Sequence, residues 1–206
     1  LATQRGQRIS TSRTSRGVPP PIKNLSRGRD GMSGASRAGQ APLADLARGD
    51  LAWLHAFLFG RRTRGTSLAA QLDARHDTGT QDTLLTWAAR HGQAEAVRLL
   101  LEAGASVGAT NGRGASALLV ACGKGCLEVA RLLRDASAAI NQAAEDSTTP
   151  LLVACLKGHV DIVRLLLEAG AAKDQAQTQG ATPLLIACQK GHLECAQVLQ
   201  QAGAAL

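Results

Sequence analysis

The sequence predicts an all-α fold in which short helix–turn–helix units stack in a row, with polar loops between them. The first observation is a fixed period, because glycines recur every 33 residues at Gly92, Gly125, Gly158 and Gly191. The second is a leucine column with the same spacing, at Leu85, Leu118, Leu151 and Leu184. The third is the composition: the chain is 45% hydrophobic but only 2% aromatic, which suits closely packed helices. Such an array exposes a long surface, so binding is the expected activity.

Residues 1–40 are predicted to be a disordered basic arm, because they are rich in Ser, Gly, Arg and Pro and hold few residues that could anchor a core. The arm has eight Lys or Arg and one acid, whereas residues 41–206 have 15 of each sign. A basic, flexible segment can bind nucleic acid or anionic lipid. It has no aromatic residues on which bases could stack, however, and a solvated linker or a transit-like segment is the simpler interpretation.

Residues 41–80 are predicted to form a degenerate N-terminal capping repeat with an enlarged loop. Apolar residues from Leu43 to Leu58 have helical spacing, with a break at Gly49. Gly49 lies 43 residues before Gly92, which is ten more than the period, and terminal repeats are commonly atypical because one side faces water. Four regular units are predicted to follow, at about 81–113, 114–146, 147–179 and 180–206. The last unit is incomplete and the chain does not begin with Met, so we expect a fragment of a longer protein.

Within each regular unit, local signals place two helices. Thr149 offers an N-cap oxygen and Pro150 suits the first helical position. Gly158 is expected to end this helix in the left-handed conformation. A second helix should begin near Asp161, whose charge favours the N-terminal end, and should end at Gly170. Three i,i+3 ion pairs are expected on the second helices: Glu95 with Arg98, Glu128 with Arg131, and Asp161 with Arg164.

These segments resemble ankyrin repeats. The strings TPLLVACLKGHVDIVRLLLEAGA (149–171) and TPLLIACQKGHLECAQVLQQAGA (182–204) carry the resemblance, which covers residues 81–206. It implies a curved solenoid with projecting finger turns, and protein binding through the fingers and the concave face of the first helices. The chain departs from the family pattern where Ser137 replaces a glycine at a helix end. It also lacks the family histidine near the start of the first helix, where it has Thr86, Leu119, Leu152 and Leu185.

The resemblance also indicates candidate partner-binding residues. Those on or next to the first helices are Arg90, His91, Lys124, Lys157, Gln189 and Lys190. Those in the finger turns are Arg113, Glu145, Asp146, Thr178 and Gln179. The column of His91, Lys124, Lys157 and Lys190 is either a basic ladder for an acidic partner or an ordinary feature of the family, in which Lys is common before Gly-His.

Other reactive residues have structural interpretations. Cys122, Cys155 and Cys188 share a column and are expected to be small buried residues in a reducing compartment. Cys195 should also lie in the core. His159 and His192 occur once per repeat without a nearby second ligand, so a turn role is preferred to metal binding. Both tryptophans are expected to pack near the N-terminal end, with Trp87 as an alternative surface anchor.

The sequence therefore predicts a non-catalytic scaffold that binds another protein, without cofactor or metal. One alternative is a nucleic-acid-associated protein that uses the basic arm. Another is the regulatory part of a larger enzyme whose catalytic domain lies outside the given sequence. No apolar run approaches the roughly 20 residues of a membrane-spanning helix. The expected location is the cytoplasm, with the nucleus as the alternative.

Overall fold

The computed structural model describes residues 51–52, 54–55, 58, 68–75 and 79–205. A short helix α1 (Leu68–Leu72) precedes four helix pairs. These are α2 (Leu84–Arg90) with α3 (Ala94–Glu102), α4 (Ala117–Lys124) with α5 (Leu127–Asp135), α6 (Pro150–Lys157) with α7 (Val160–Glu168), and α8 (Pro183–Gln189) with α9 (Leu193–Gln201). The all-α repeat prediction is confirmed for these ranges, in which the only β-bridge pairs Thr110 with Ser116.

The two N-terminal predictions are only partly covered. The predicted arm, residues 1–40, and most of the predicted cap, residues 41–80, lie outside the described residues, as does Trp53. Leu54 and Leu72 are described, and both are fully buried in the same hydrophobic core as α2. None of the helices in the described ranges has the length and apolarity needed to cross a membrane.

A hydroxyl cap begins every first helix of the four pairs. The side-chain oxygens of Thr83, Ser116, Thr149 and Thr182 each accept a hydrogen bond from the backbone N–H three residues later. These bonds are 3.2–3.3 Å long. Pro150 and Pro183 occupy the first turn in the last two units. The units without proline start their helices in the same way, so the hydroxyl cap is the common signal.

Two glycines of the column, Gly125 and Gly158, end first helices and also pack against the next unit. Gly125 and Gly158 are C-caps with φ of +78° and +75°. A Cβ atom at Gly125 would lie 2.7 Å from Cε1 of His159, and one at Gly158 would lie 2.6 Å from Nδ1 of His192. The predicted turn role of the two histidines is consistent with this packing, because each ring covers the glycine of the preceding unit.

The first helices are buried on almost every side because they lie between neighbouring units and in front of the second helices. The leucine column is about 1% exposed in all four units. Cys122, Cys155 and Cys195 are fully buried as predicted. The prediction was wrong for Cys188, which is exposed. In the described part of the chain, no further first helix follows α8 to cover this position.

The same end exposes two leucines. Leu193 is 71% exposed, and Leu185 is 37% exposed although Leu119 in its column is 9% exposed. The predicted ion pairs on the second helices form only in the first unit, where Glu95 and Arg98 are 3.5 Å apart. The other two pairs are not within 4 Å in the described structure, because exposed pairs gain little by restraining two long side chains.

Backbone hydrogen bonds connect successive finger turns. The N–H of Gly112 donates to the Thr80 carbonyl at 3.2 Å, that of Glu145 to the Arg113 carbonyl at 3.4 Å, and that of Thr178 to the Asp146 carbonyl at 3.4 Å. The fingers therefore form a continuous row beside the first helices.

Candidate partner-binding surface

A cleft of about 700 Å³ lies where the first helices face the fingers. Its walls come from α4 and α6, from the finger segments 111–115 and 144–148, and from Arg90 at the end of α2. We call it the central cleft. It combines apolar and charged walls, and it lies on the face that the family resemblance implied for binding.

The floor of the central cleft is apolar. Ala115, Leu119 and Val120 form a small cluster separate from the main core, and Ala144 and Val153 pack against it. These three residues are 8–9% exposed, whereas the leucine column behind them is about 1% exposed. The cluster therefore presents its remaining apolar surface to the cleft.

Gly123 keeps the floor accessible. In the equivalent position the other units have Arg90, Leu156 and Gln189. A Cβ atom at Gly123 would lie 3.3 Å from Cγ2 of Val153. Gly123 therefore lets α4 approach Val153 closely, and no side chain projects from this position into the cleft.

Three exposed basic side chains surround this floor. Arg113, Lys124 and Lys157 line the cleft, and none of them lies within 4 Å of a carboxylate among the described residues. Glu145 and Asp146 line the finger side of the cleft. One carboxylate oxygen of Asp146 accepts a hydrogen bond from the N–H of Thr148 at 3.0 Å. The cleft thus has two cations on the helices, Lys124 and Lys157, a third on a finger, Arg113, and an aspartate on the other finger that accepts a hydrogen bond within its turn.

Arg90 differs from the other cations because a buried carboxylate holds it. Its Nε and Nη2 donate to the two oxygens of Asp82, at 2.7 and 3.0 Å. Asp82, 1% exposed, also accepts from Oγ1 of Thr80 at 2.7 Å and from Nδ2 of Asn111 at 3.0 Å. Asn111 in turn accepts from the N–H groups of Arg113 and Ala115, both at 3.0 Å. The network therefore connects the first unit to the first finger.

The pKa of Asp82 reflects this network. Burial, the largest influence, would raise it. Hydrogen bonds from Arg90, Thr80 and Asn111, together with the charge of Arg90, outweigh burial and lower the pKa below its ordinary value. Asp82 is therefore ionised at neutral pH.

His91 stands beside these charges. Its ring packs on that of Trp87, with centroids 4.1 Å apart. Partial burial, followed by the charges of Arg90 and Lys124, lowers the pKa of His91 against a small opposing effect of Asp82. Trp87 itself is 8% exposed and belongs to the core, which favours the prediction of a packed residue over that of a surface anchor.

Six of the eleven predicted binding residues meet at the central cleft: Arg90, Arg113, Lys124, Glu145, Asp146 and Lys157. Gln179, Gln189 and Lys190 line a second cleft of about 350 Å³, which we call the distal cleft. Thr178 donates through Oγ1 to the Asp146 carbonyl at 2.8 Å. That these residues bind a partner remains a prediction.

Sequence reasoning missed Asp82, Asn111, Gly123 and the apolar floor. Departures from the repeat could have revealed two of them. Asp82 stands in a column that otherwise holds Ala115, Thr148 and Ala181, and Gly123 stands in a column of larger side chains. Asn111 and the floor give no comparable signal, since apolar residues in a first helix are ordinary core residues.

Two buried cysteines, Cys122 and Cys155, are unsuited to nucleophilic chemistry. Burial raises the pKa of the Cys122 thiol to about 12. Burial, followed by the nearby Cys195, raises that of Cys155 to about 12 as well. Across the described ranges, no three His, Cys, Asp or Glu side chains are grouped so that they could hold a metal ion.

Comparison with known proteins agrees with this architecture. A search of curated protein sequences finds no match. A family model described as Ankyrin repeats (3 copies) matches residues 56–144 and 136–206. Since these matches cover well over half of the chain and the helix pairs follow the same period, the chain belongs to the ankyrin repeat family.

Proposed function

We propose that this chain is a non-catalytic scaffold that binds another protein through its finger turns and the concave face of its first helices. Ankyrin repeats are generally protein-interaction modules, and the fold is typically non-catalytic. The observation that supports this surface most strongly is the central cleft, where an apolar floor is bordered by exposed cations without ion-pair partners. Binding sites in proteins combine these features.

We further propose that the protein acts in a reducing compartment, the cytoplasm or alternatively the nucleus. All five cysteines are free thiols. Proteins of oxidising compartments more often pair their cysteines in disulfides. Targeting of the full chain, visualised by fluorescence microscopy, tests this proposal, and retention in a secretory compartment would contradict it.

A photo-crosslinking map tests the proposed surface. A photoreactive amino acid is placed at Gln179 or Gln189 on the proposed surface, and at Arg131 or Arg164 on the exposed side of the second helices as matched controls. We expect adducts with cellular proteins from the first pair and few from the second. Equal adduct yields from both faces would contradict a binding surface on the concave side.

A further inference from the structure

We propose that the central cleft binds a peptide segment of a partner protein in which one apolar side chain is flanked by carboxylates. This inference rests on the proposed scaffold function and specifies the chemistry of the partner. It follows from the shape that Gly123 gives the cleft, from the apolar floor, and from the distribution of unpaired charge around it.

The first observation is the glycine at position 123, inside a helix. Glycine inside a helix is unfavourable relative to alanine, and the other units have a side chain in this column, at Arg90, Leu156 and Gln189. Gly123 lies within α4 and caps no helix. The structural consequence of glycine here is a cleft wall with no side chain beside Val153, since an added Cβ atom would lie only 3.3 Å from Cγ2 of Val153.

The second observation is the apolar floor of the central cleft, which a partner side chain would cover. Ala115, Leu119 and Val120 meet at the bottom of the cleft, where each is 8–9% exposed. Covering apolar surface is favourable in proportion to its area. A medium-sized apolar side chain from the partner would remove this floor from water, and a polar side chain would have no hydrogen-bonding partner on it.

The charges around the floor indicate which residues of the partner peptide should flank its apolar side chain. Arg90 is already neutralised by Asp82, which leaves Arg113, Lys124 and Lys157 as exposed cations in the cleft. Asp146 is engaged with the Thr148 N–H. The side chain of Glu145 packs over Gly114, since a Cβ atom there would lie 3.1 Å from its Cγ. The three unpaired cations still outnumber these two carboxylates, so the balance is positive and carboxylates beside the apolar residue are complementary to it.

The distal cleft supplies an internal control. Its lining occupies the same repeat columns two units further along the chain, with Leu156 for Arg90, Gln179 for Arg113 and Gln189 for Gly123. It retains one cation, Lys190, and its glycine position is filled. The same backbone therefore offers one cleft with the proposed chemistry and one without it.

Fluorescence anisotropy with defined peptides tests the proposal. The probe is a fluorescein-labelled peptide of sequence Glu-Asp-Glu-Leu-Glu-Asp-Glu, and the matched peptide has Ser in place of Leu. We expect the Leu peptide to bind the full chain at least tenfold more tightly than the Ser peptide. Gly123→Gln, which copies the distal cleft, should weaken binding of the Leu peptide at least tenfold, and Gln200→Ala, on an exposed position of the second helix α9, should leave it unchanged.

Two further variants separate filling of the cleft from loss of fold or charge. Gly123→Ala adds a single methyl group, and it should keep a cooperative melting transition, since only Cγ2 of Val153, 3.3 Å from the added Cβ atom, has to shift. The double variant Lys124→Glu with Lys157→Glu should lose the acidic peptide and gain affinity for a peptide in which Lys replaces each acidic residue.

Several results would overturn the proposal. These are equal affinity for the Leu and Ser peptides, unchanged affinity in a folded Gly123→Gln protein, and equal affinity for a single-stranded oligonucleotide of the same net charge. If crosslinks remain on the concave face while the peptide fails to bind, the scaffold function stands and the partner chemistry is wrong. If crosslinks occur equally on both faces, the scaffold surface itself is wrong.

Discussion

The central and distal clefts are built on the same repeat positions, yet they differ in size and charge. The central cleft has a volume of about 700 Å³ and the distal cleft about 350 Å³. Part of the difference comes from a third wall, because α6 and its finger close the central cleft and no described helix does so beyond α8. The rest comes from side chains, since Gly123 in one cleft corresponds to Gln189 in the other. The repeat backbone therefore provides the positions, and single departures from the repeat determine what each position can bind.

The largest expected effect comes from removing support behind the central cleft. Leu151 on α6 is 1% exposed and belongs to the core. Leu151→Ala should lower the free energy of unfolding by about 2–5 kcal/mol, because it removes buried methyl groups and leaves a cavity. Urea denaturation measures this change, and binding of the acidic Leu peptide should weaken with it.

Leu184→Ala is the matched change behind the distal cleft, where Leu184 is also 1% exposed. Because stacked repeats contact only their neighbours, it should loosen the last pair of helices and leave peptide binding in the central cleft intact. A fully retained unfolding transition in Leu151→Ala would contradict the assignment of that column to the core.

The effect of intermediate size concerns how the free energy of unfolding depends on pH, which should differ between the Asp82 position and its counterpart at the distal cleft. The pKa of Asp82 is lowered in the fold, so its ionised form stabilises the protein above its unfolded-state pKa of about 3.9. This contribution is lost as pH falls through the lower, folded-state pKa. Asp82→Asn should therefore cost about 1–3 kcal/mol at neutral pH, because the buried donors lose a charged acceptor, and the difference should shrink below about pH 4.

Urea midpoints measured from neutral pH downward check this dependence. Ala181, which lines the distal cleft, stands in the same repeat column as Asp82 and is uncharged, so Ala181→Asn should show no comparable pH-dependent difference. A constant difference between Asp82→Asn and the unmodified protein across the acidic range would show that the charge of Asp82 does not stabilise the fold.

The smallest effect concerns the fingers. Ser147 has a φ of +61° in a column where Gly114 and Gly180 have +71° and +79°. A residue with a Cβ atom pays about 1–2 kcal/mol in the left-handed region, so Ser147→Gly should raise the free energy of unfolding by about 1 kcal/mol. Thermal melting measures it, and Gly180→Ser in the distal finger should show a change of opposite sign. No change in either variant would mean that the fingers do not contribute to the cooperative fold.

Much of the fold was predictable because its signals are local. Thr149 and Thr182 mark helix starts through hydrogen bonds three residues away, and Gly125 and Gly158 mark helix ends through a backbone conformation that glycine favours. The exposure of Cys188 was not predictable from its column, because burial depends on which helix lies beside it in space. The missing ion pairs on α5 and α7 likewise show that correct spacing does not ensure contact.

The sequence by itself determined the repeat, the helix pairs and the face on which the basic column lies, since each depends on neighbours within one unit. Only the tertiary structure decided which of these residues form a site. Asp82 accepts a hydrogen bond from Asn111, 29 positions further along the chain. The same carboxylate pairs with Arg90 and so removes Arg90 from the unpaired cations of the central cleft. The structural effect of Gly123 depends on Val153 in the next unit, which lies close to it. Contacts between units bring together residues that local sequence patterns cannot relate, and the central cleft is formed by such contacts.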